Sequence, residues 1–430
     1  MFEFKIFKKA KNSRARIGVL KTEHGIVETP CLAPVATQAT VKALTNEETE
    51  NVGSQILIVN TLYLHLSPGE KIVAKAGGLH EFMNWKNPLM TDSGGFQVFS
   101  WGFGKDFGIG KILKAKNKKS LTFFLEGKKV RDKKINPAPF GGILDSAERC
   151  GINNSQLQNV SASIERGQQP RLLKITDEGV FFTSFLDGKK LFLGPRESIK
   201  IQEKLGADII FAFDECPPPL ADYKYMKNSI LKTHNWAKVC LETKKTKQAL
   251  FGIVQGGRYK NLRQESAKFI GSLPFDGFGI GGEFGADKNK MSEMLEQVVK
   301  ELPEQKPRHL LGIGYLEDIP KIIKAGIDIF DCNVPTHYAR RGIAFVHAQG
   351  RNSGHNFISF EKLNLKQAKF LKDKSSLDKK CFCFVCQNFK KNYISHLFRA
   401  KEITGLRLLT FHNLYFFNKY IEEVKRKIMG

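Results

Sequence analysis

Asp208-Ile-Ile-Phe-Ala-Phe-Asp214 opens a stretch, Gly206 to Pro335, in which one pattern returns as Ala249-Leu-Phe-Gly-Ile-Val-Gln255, Asp276-Gly-Phe-Gly-Ile-Gly281, His309-Leu-Leu-Gly-Ile-Gly314 and Ile327-Asp-Ile-Phe-Asp331. Each run is continuously apolar and then stops at a turn, which is how a strand buried on both faces reads. Between the runs, amphipathic spacing predicts helices over Asp222–Thr243, Lys260–Gly271, Asn289–Leu302 and Glu317–Ala325. Strand and helix alternating over short links build a parallel sheet. Upstream, Ser54-Gln-Ile-Leu-Ile-Val-Asn60 and Pro88-Leu-Met-Thr-Asp92 have the same strand character. Seven or eight βα units predict an α/β fold of the closed (β/α)8 TIM-barrel type.

The composition fits a large folded unit. The 430 residues are 41% hydrophobic and 11% aromatic, which excludes disorder as the main state. Lys and Arg number 68 against 43 Asp and Glu, a formal charge of +25, which points to a polyanionic partner and first of all to nucleic acid. That excess is concentrated in two places: Trp101–Leu173 holds 14 basic and 6 acidic residues, Arg351–Gly430 17 and 6. The segment Gly102–Arg171 also breaks the βα rhythm, being Lys- and Gly-rich and then Ser-, Asn- and Gln-rich. It reads as a weakly structured insertion after the second barrel strand region. The expected organisation is the N-terminal part of the barrel over 1–101, the basic insertion over 102–173, the rest of the barrel over 174–350, and a basic subdomain closing the barrel over 351–430. No run of 18 apolar residues occurs, and Met1–Arg14 lacks a signal-peptide core. A soluble, cytoplasmic protein without membrane partners is expected.

In such a barrel the site lies where the strands end, and the polar residues closing the runs are Asp92, Asp214, Gln255 and Asp331. A lone Asp there is commonly a turn former or helix cap. Three carboxylates and an amide at one rim fit glycosyl transfer, one carboxylate attacking a sugar C1 and another moving protons. A further carboxylate with an amide suits the hydrogen-bonding edge of a planar base, beside the Gly-Gly pairs at 94–95, 256–257 and 281–282. The eight cysteines form no disulfide framework, but Cys381-x-Cys383-x-x-Cys386 is spaced as a metal site. Three thiolates and one imidazole complete a closed, structural zinc site, the imidazole coming from His412, His396 or His355.

Together, Thr91-Asp-Ser-Gly-Gly-Phe-Gln-Val-Phe-Ser100, Phe213-Asp-Glu-Cys216, Phe251-Gly-Ile-Val-Gln-Gly-Gly257, Phe330-Asp-Cys-Asn-Val-Pro-Thr336 and the thiols followed by Leu406-Arg-Leu-Leu-Thr-Phe-His-Asn-Leu414 resemble the tRNA-guanine transglycosylases. The resemblance runs from about Arg14 to Ile428, the insertion excepted. It implies a (β/α)8 barrel with a zinc-binding subdomain, and exchange of the wobble guanine of GUN anticodons for a 7-substituted 7-deazaguanine, by ping-pong order and without ATP. By the same resemblance Asp331 is the nucleophile and Asp92 the general acid/base. Asp214, Gln255, Gly281 and Gly282 match residues that bind the base edge, and Phe96 an aromatic that stacks on its face. Ser93, Glu283, Gly285 and Leu311 complete the expected substrate pocket. Cys381, Cys383, Cys386 and His412 match ligands of one structural zinc ion per chain. Thr336, Arg340, Lys366 and Lys369 are the expected contacts to the tRNA anticodon region, and a homodimer is the expected assembly.

The chain also departs from the family pattern. His337 stands where bacterial members usually carry an Arg, with Arg340 kept. Gly281-Gly282-Glu283-Phe284-Gly285 replaces the common Gly-Gly-Leu-x-Val. Gly285 falls where users of the small aminomethyl precursor carry Val and queuine users carry Gly. Two readings compete with the enzyme: a noncatalytic tRNA-binding partner subunit, disfavoured because Asp92 and Asp331 are both present, and a carbohydrate-directed glycosidase, which explains neither the charge nor the thiols. The archaeal branch with extra C-terminal domains is disfavoured by how soon the chain ends after His412.

Overall fold

In the computed structural model, residues 2–99, 173–184, 186–218, 221–282, 284, 288–348 and 357–429 are described. The predicted insertion, Glu283, Gly285 and His355 lie outside the described residues. The first three strands, β1 (Glu3–Lys9), β2 (Arg16–Thr22) and β3 (Gly25–Thr29), form an antiparallel sheet. Barrel strands β4 (Cys31–Ala36), β5 (Leu57–Val59) and β6 (Leu89–Thr91) follow. An antiparallel meander, β7 (Leu173–Ile175), β8 (Val180–Thr183) and β9 (Lys190–Leu193), precedes the remaining barrel strands. These are β10 (Ile209–Phe211), β11 (Ala249–Val254), β12 (Gly277–Ile280), β13 (Arg308–Leu310) and β14 (Ile329–Cys332). The eight barrel strands are parallel and close in the order β10-β11-β12-β13-β14-β4-β5-β6.

The continuous apolar runs do what their pattern predicts, burying one set of side chains inside the barrel and the alternate set beneath the helices. Phe211, Phe251, Ile253 and Ile329 join the interior cluster, capped at the amino-terminal end by Leu20 and Val27 of the first sheet. Ile210, Leu250, Phe278 and Phe330 pack outward. The observed helices Tyr223–Thr243, Lys260–Ser272, Lys288–Glu301 and Ile319–Lys324 agree with the predicted ones to within a few residues.

The eighth strand is β4, Cys31-Leu-Ala-Pro-Val-Ala36, which the runs did not single out. Pro34 has no N–H to donate, and that argues against a central strand. Here β4 nonetheless pairs on both sides, Cys332 opposite Pro34 and Val35 opposite Ile58. With β4 counted first, the strand before the undescribed stretch is the third, so the expected insertion would follow the third barrel strand rather than the second. The seam between β6 and β10 is narrow, one residue pair, Met90 opposite Ile209. The buried amide of Gln202, from helix Pro195–Leu205, supplements it by accepting from Phe211 N (2.9 Å) and donating to Phe211 O (2.9 Å) while Thr91 Oγ1 donates to its Oε1 (3.1 Å).

Beyond the barrel, β15 (Ile343–His347) pairs antiparallel with β16 (Phe360–Asn364). The helix Ile403–Met429 packs on β15, on β4 and on the short helix Val334–Arg340 that leaves β14. Asn413 fastens this junction, its Oδ1 accepting from Phe345 N (3.1 Å) and its Nδ2 donating to Pro335 O (3.1 Å) and Ile343 O (3.0 Å). Among the described residues no helix is long and apolar enough to cross a membrane.

Candidate active site and metal centre

The carboxylates predicted from strand ends lie at one end of the barrel. Asp92 follows β6, Asp214 lies three residues past β10, and Asp331 lies within β14. Asp92 Oδ1 accepts from Thr61 N (2.9 Å) and Gly94 N (3.1 Å), and its Oδ2 accepts from Asn60 Nδ2 and from Gln97 Nε2 (2.9 Å). These donors favour the ionised form, yet burial, joined by the negative charge of Asp331, pushes the Asp92 carboxyl up to about 6. Asp92 and Asp331 therefore feel each other's charge, and Asp92 changes protonation close to neutrality, where an acid/base group works best. Asp331 is fixed through Oδ1, which accepts from Gly312 N (2.8 Å) and from His309 Nε2 (2.9 Å).

Asp214 sits in a second, drier group. Its Oδ1 accepts from Ser93 Oγ (3.2 Å) and its Oδ2 from Gln255 Nε2 (2.6 Å), all three residues being buried. Gln255 Oε1 is also buried, with no hydrogen-bond partner among the described residues. A buried orphan acceptor beside a carboxylate fits a ligand that brings N–H donors. The glycine turns let the backbone come this close: a Cβ on Gly281 would meet Gln255 Nε2 at 2.8 Å, and one on Gly282, whose φ is +79°, would meet Gln255 Oε1 at 2.4 Å. Arg263, not singled out in the sequence, ties both turns together. It is 1% exposed, donates from Nε to Gly257 O (2.5 Å) and from Nη1 to Gly281 O (3.1 Å), and lies 3.7 Å over the Phe284 ring. Phe96 stands at the start of the helical turn after the Gly94-Gly95 pair, 40% exposed as a stacking aromatic would need to be, and Leu311 is half-buried beyond β13.

Of the expected RNA contacts, Thr336 is buried and its hydroxyl donates to Asn333 O (3.2 Å) within the first turn of its helix. One turn later Arg340 donates from Nε to Thr336 O (3.2 Å), and His337 contacts Arg341. Lys366 lies over Gly342, and Lys369 is exposed above the Phe370 ring.

Cys381, Cys383, Cys386 and His412 converge in a buried cluster whose ligand atoms all lie within 4.8 Å of one another. The three sulfurs are 3.8, 3.5 and 3.3 Å from His412 Nδ1. A tetrahedron built on zinc–sulfur and zinc–nitrogen bonds of about 2.3 and 2.0 Å has such S···N edges, so the donor set fits zinc. His412 Nε2 donates to Phe345 O (2.7 Å), leaving Nδ1 as the free ligand atom. His396 is exposed and outside the cluster. A second trio, His24, His80 and Asp208, lies at the opposite, amino-terminal end of the barrel. There the two imidazoles stack with centroids 3.4 Å apart at 12°. Ring lone pairs lie in the ring planes, so parallel stacked rings do not converge on one ion. Asp208 instead accepts from His24 Nδ1 (2.8 Å) and pairs with His80 Nε2 (3.2 Å), which clamps the floor of the barrel.

The sequence profile of the family described as "TGT: Queuine tRNA-ribosyltransferase" matches residues 11–126 and 153–430. The chain belongs to this family. Similar proteins named queuine tRNA-ribosyltransferase come from Natranaerobius thermophilus (40% identical, covering 97% of this chain and 92% of the relative) and Halothermothrix orenii (39%, covering 99% and 93%). Another, from Staphylococcus aureus, is 39% identical over 98% of this chain and 91% of the relative. The queuine tRNA-ribosyltransferases are pentosyltransferases, and the profile spans both the carboxylate rim and the Cys/His cluster. Asn60, Gln97, Arg263, His309 and Asn413 are the residues of these sites that motif reading passed over. Asn60, Gln97, His309 and Asn413 stood inside quoted runs or motifs without being singled out, and the partners of Asn60, His309 and Asn413 lie on other elements of the chain.

Proposed function

We propose that this chain is a tRNA-guanosine(34) transglycosylase that exchanges the wobble guanine of GUN anticodons for a 7-substituted 7-deazaguanine, either queuine or its aminomethyl precursor. The observation that carries the reading is the pair of unlike carboxylates at one barrel end, Asp331 fixed through one oxygen and Asp92 poised near neutrality. Asp331 attacks ribose C1, and the glycosidic bond breaks with its electron pair going to the base nitrogen. That nitrogen takes the proton of the Asp92 carboxyl, and guanine leaves. The incoming base returns its proton to the Asp92 carboxylate while its nitrogen attacks C1, and Asp331 is released as carboxylate. Asp214, Ser93 and Gln255 read the base edge, with Asp214 and Gln255 Oε1 accepting from its N–H groups, while the turn at Gly281-Gly282 brings backbone to it; Glu283 and Gly285 belong to the same pocket by the resemblance. Phe96 and Leu311 flank the ring. Thr336, Arg340, Lys366 and Lys369 lie toward the anticodon, Thr336 acting through its helix.

Structural zinc at Cys381, Cys383, Cys386 and His412 would stabilise the junction where His412 and Asn413 hold β15. We further assign a cytoplasmic homodimer as the working form, which sedimentation at micromolar concentration would test. Incubating the protein with a GUN-anticodon tRNA and labelled guanine tests the activity directly: label enters the tRNA at position 34, and its absence would overturn the reading. Competition between queuine and the aminomethyl compound, repeated with Gly285→Val, identifies the entering base.

A further inference from the structure

His309 occupies a place where an imidazole is out of character. It lies in β13, one of the apolar runs, and is 0% exposed. Its neighbour Leu310 packs outward against the helices while Leu311 packs with the interior cluster. His309 faces inward too, with its ring edge on Phe211 at 5.4 Å and 64°, one layer beneath the carboxylate rim. A buried polar ring in such a layer requires a partner. It has one, Asp331 Oδ1, at 2.9 Å. The other ring nitrogen, Nδ1, is buried with no hydrogen-bond partner among the described residues. The Asp331 contact thus assigns the ring proton to Nε2, which donates.

We infer that His309 is a positioning residue for the nucleophile: with Gly312 N it holds Oδ1 of Asp331 and so sets the orientation in which the carboxylate meets ribose C1. Both donors fall on the same oxygen, one from a backbone amide just past β13 and one from a side chain of that strand. Two donors on one oxygen stop the carboxylate rotating about its Cβ–Cγ bond and hold it in one orientation for attack. They also receive the carboxylate's charge when it re-forms as the incoming base displaces it. This rests on the reading of Asp331 as nucleophile and adds to it the residue that aims it.

The test is the single-turnover rate of covalent tRNA adduct formation, measured beside tRNA affinity. His309→Phe keeps a ring against Phe211 and removes the donor, and His309→Gln restores an N–H at similar reach. The expected result for the Phe variant is a fall in adduct formation on the order of 10²-fold, as misplacement of a reacting group gives, with the Kd for tRNA unchanged and much of the rate recovered by Gln. Wild-type adduct rates in His309→Phe, or a loss that only tracks tRNA affinity, would overturn the inference. Asp331→Asn is the control: if it still forms adduct, the nucleophile assignment fails, whereas a dead Asp331→Asn beside a fully active His309→Phe defeats this inference alone. Should the Phe variant not fold, ¹⁵N-imidazole spectra of the unaltered chain decide. A protonated Nε2 signal that moves in Asp331→Asn supports the inference, and a His309 protonated on Nδ1 with bare Nε2 overturns it.

Discussion

Three aspartates at one end of the barrel can be set against three at the other, and their company separates them. At the amino-terminal end, Asp208, Asp276 and Asp328 precede β10, β12 and β14, and each accepts from a backbone N–H at the start of the neighbouring strand: Leu89 N (2.9 Å), Leu250 N (2.8 Å) and Arg308 N (2.7 Å). Asp328 also forms a buried pair with Arg16, and Asp208 holds two histidines. At the carboxyl-terminal end, Asp92, Asp214 and Asp331 are bound largely by side chains and turn amides of the site. Burial raises the pKa of both Asp208 and Asp92. At Asp208 hydrogen bonds from His80, His24 and Leu89 N outweigh it and hold the carboxyl well below its ordinary range, whereas at Asp92 burial prevails. The first kind of aspartate fastens strands, and the second is kept in an environment that suits chemistry better than stability. Asp208 gives stability that is present above the ordinary carboxylate range and lost as pH falls below that range through its depressed folded value. Asp92, raised to about 6, gives stability that is present at acid pH and lost as pH rises through that value.

The sharpest break between the two ends comes from paired substitutions of Asp328, just before β14, and Asp331, within it. Asp331→Asn should abolish covalent trapping of tRNA, while Asp328→Asn, which leaves Arg16 buried without its partner, should cost several kcal/mol of stability, about 3 to 5, with exchange per folded molecule retained. Trapping assays and thermal melts distinguish these outcomes. Next in size is the metal: purified protein should hold one zinc per chain, and Cys383→Ser or chelation should release it and melt the β15 junction, whereas His396→Ala should not. Metal analysis and circular dichroism read both. Asp92→Asn should lower exchange by at least ~10²-fold yet raise the melting temperature at pH 7.5, because it removes a charge that burial disfavours. The same shift predicts that guanine release slows, and uptake of the new base quickens, as pH rises through about 6. Smallest is Asp276→Asn, half-buried, expected to cost about 1 kcal/mol with no change in exchange kinetics.

The strands were legible because a parallel barrel buries both faces, and continuous runs such as Ala249–Val254 have few other uses. Their closing residues pointed to the site for the same reason, since a run of known direction tells which end is which. β4 stayed hidden because Pro34 mimics a strand breaker, and its missing donor matters only once its two neighbours are known. Gln202, Arg263 and His309 were not legible either. An amide spanning a barrel seam, a guanidinium pinning two glycine turns and an imidazole under a carboxylate take their meaning from partners on other elements of the chain. The zinc ligands divide along the same line: the thiols fall within six residues, Cys381 to Cys386, whereas spacing alone left His412, His396 and His355 open, and it took the family resemblance to choose His412, which the structure brings to the sulfurs.

The most direct measurement maps the bond itself. Wild-type protein, quenched in denaturant during turnover with a GUN-anticodon tRNA, should carry a covalently linked RNA, and digestion followed by mass spectrometry should place the ribose on the peptide containing Asp331. An adduct on any other residue, or turnover with no adduct under conditions that trap half-reacted enzyme, would contradict the account.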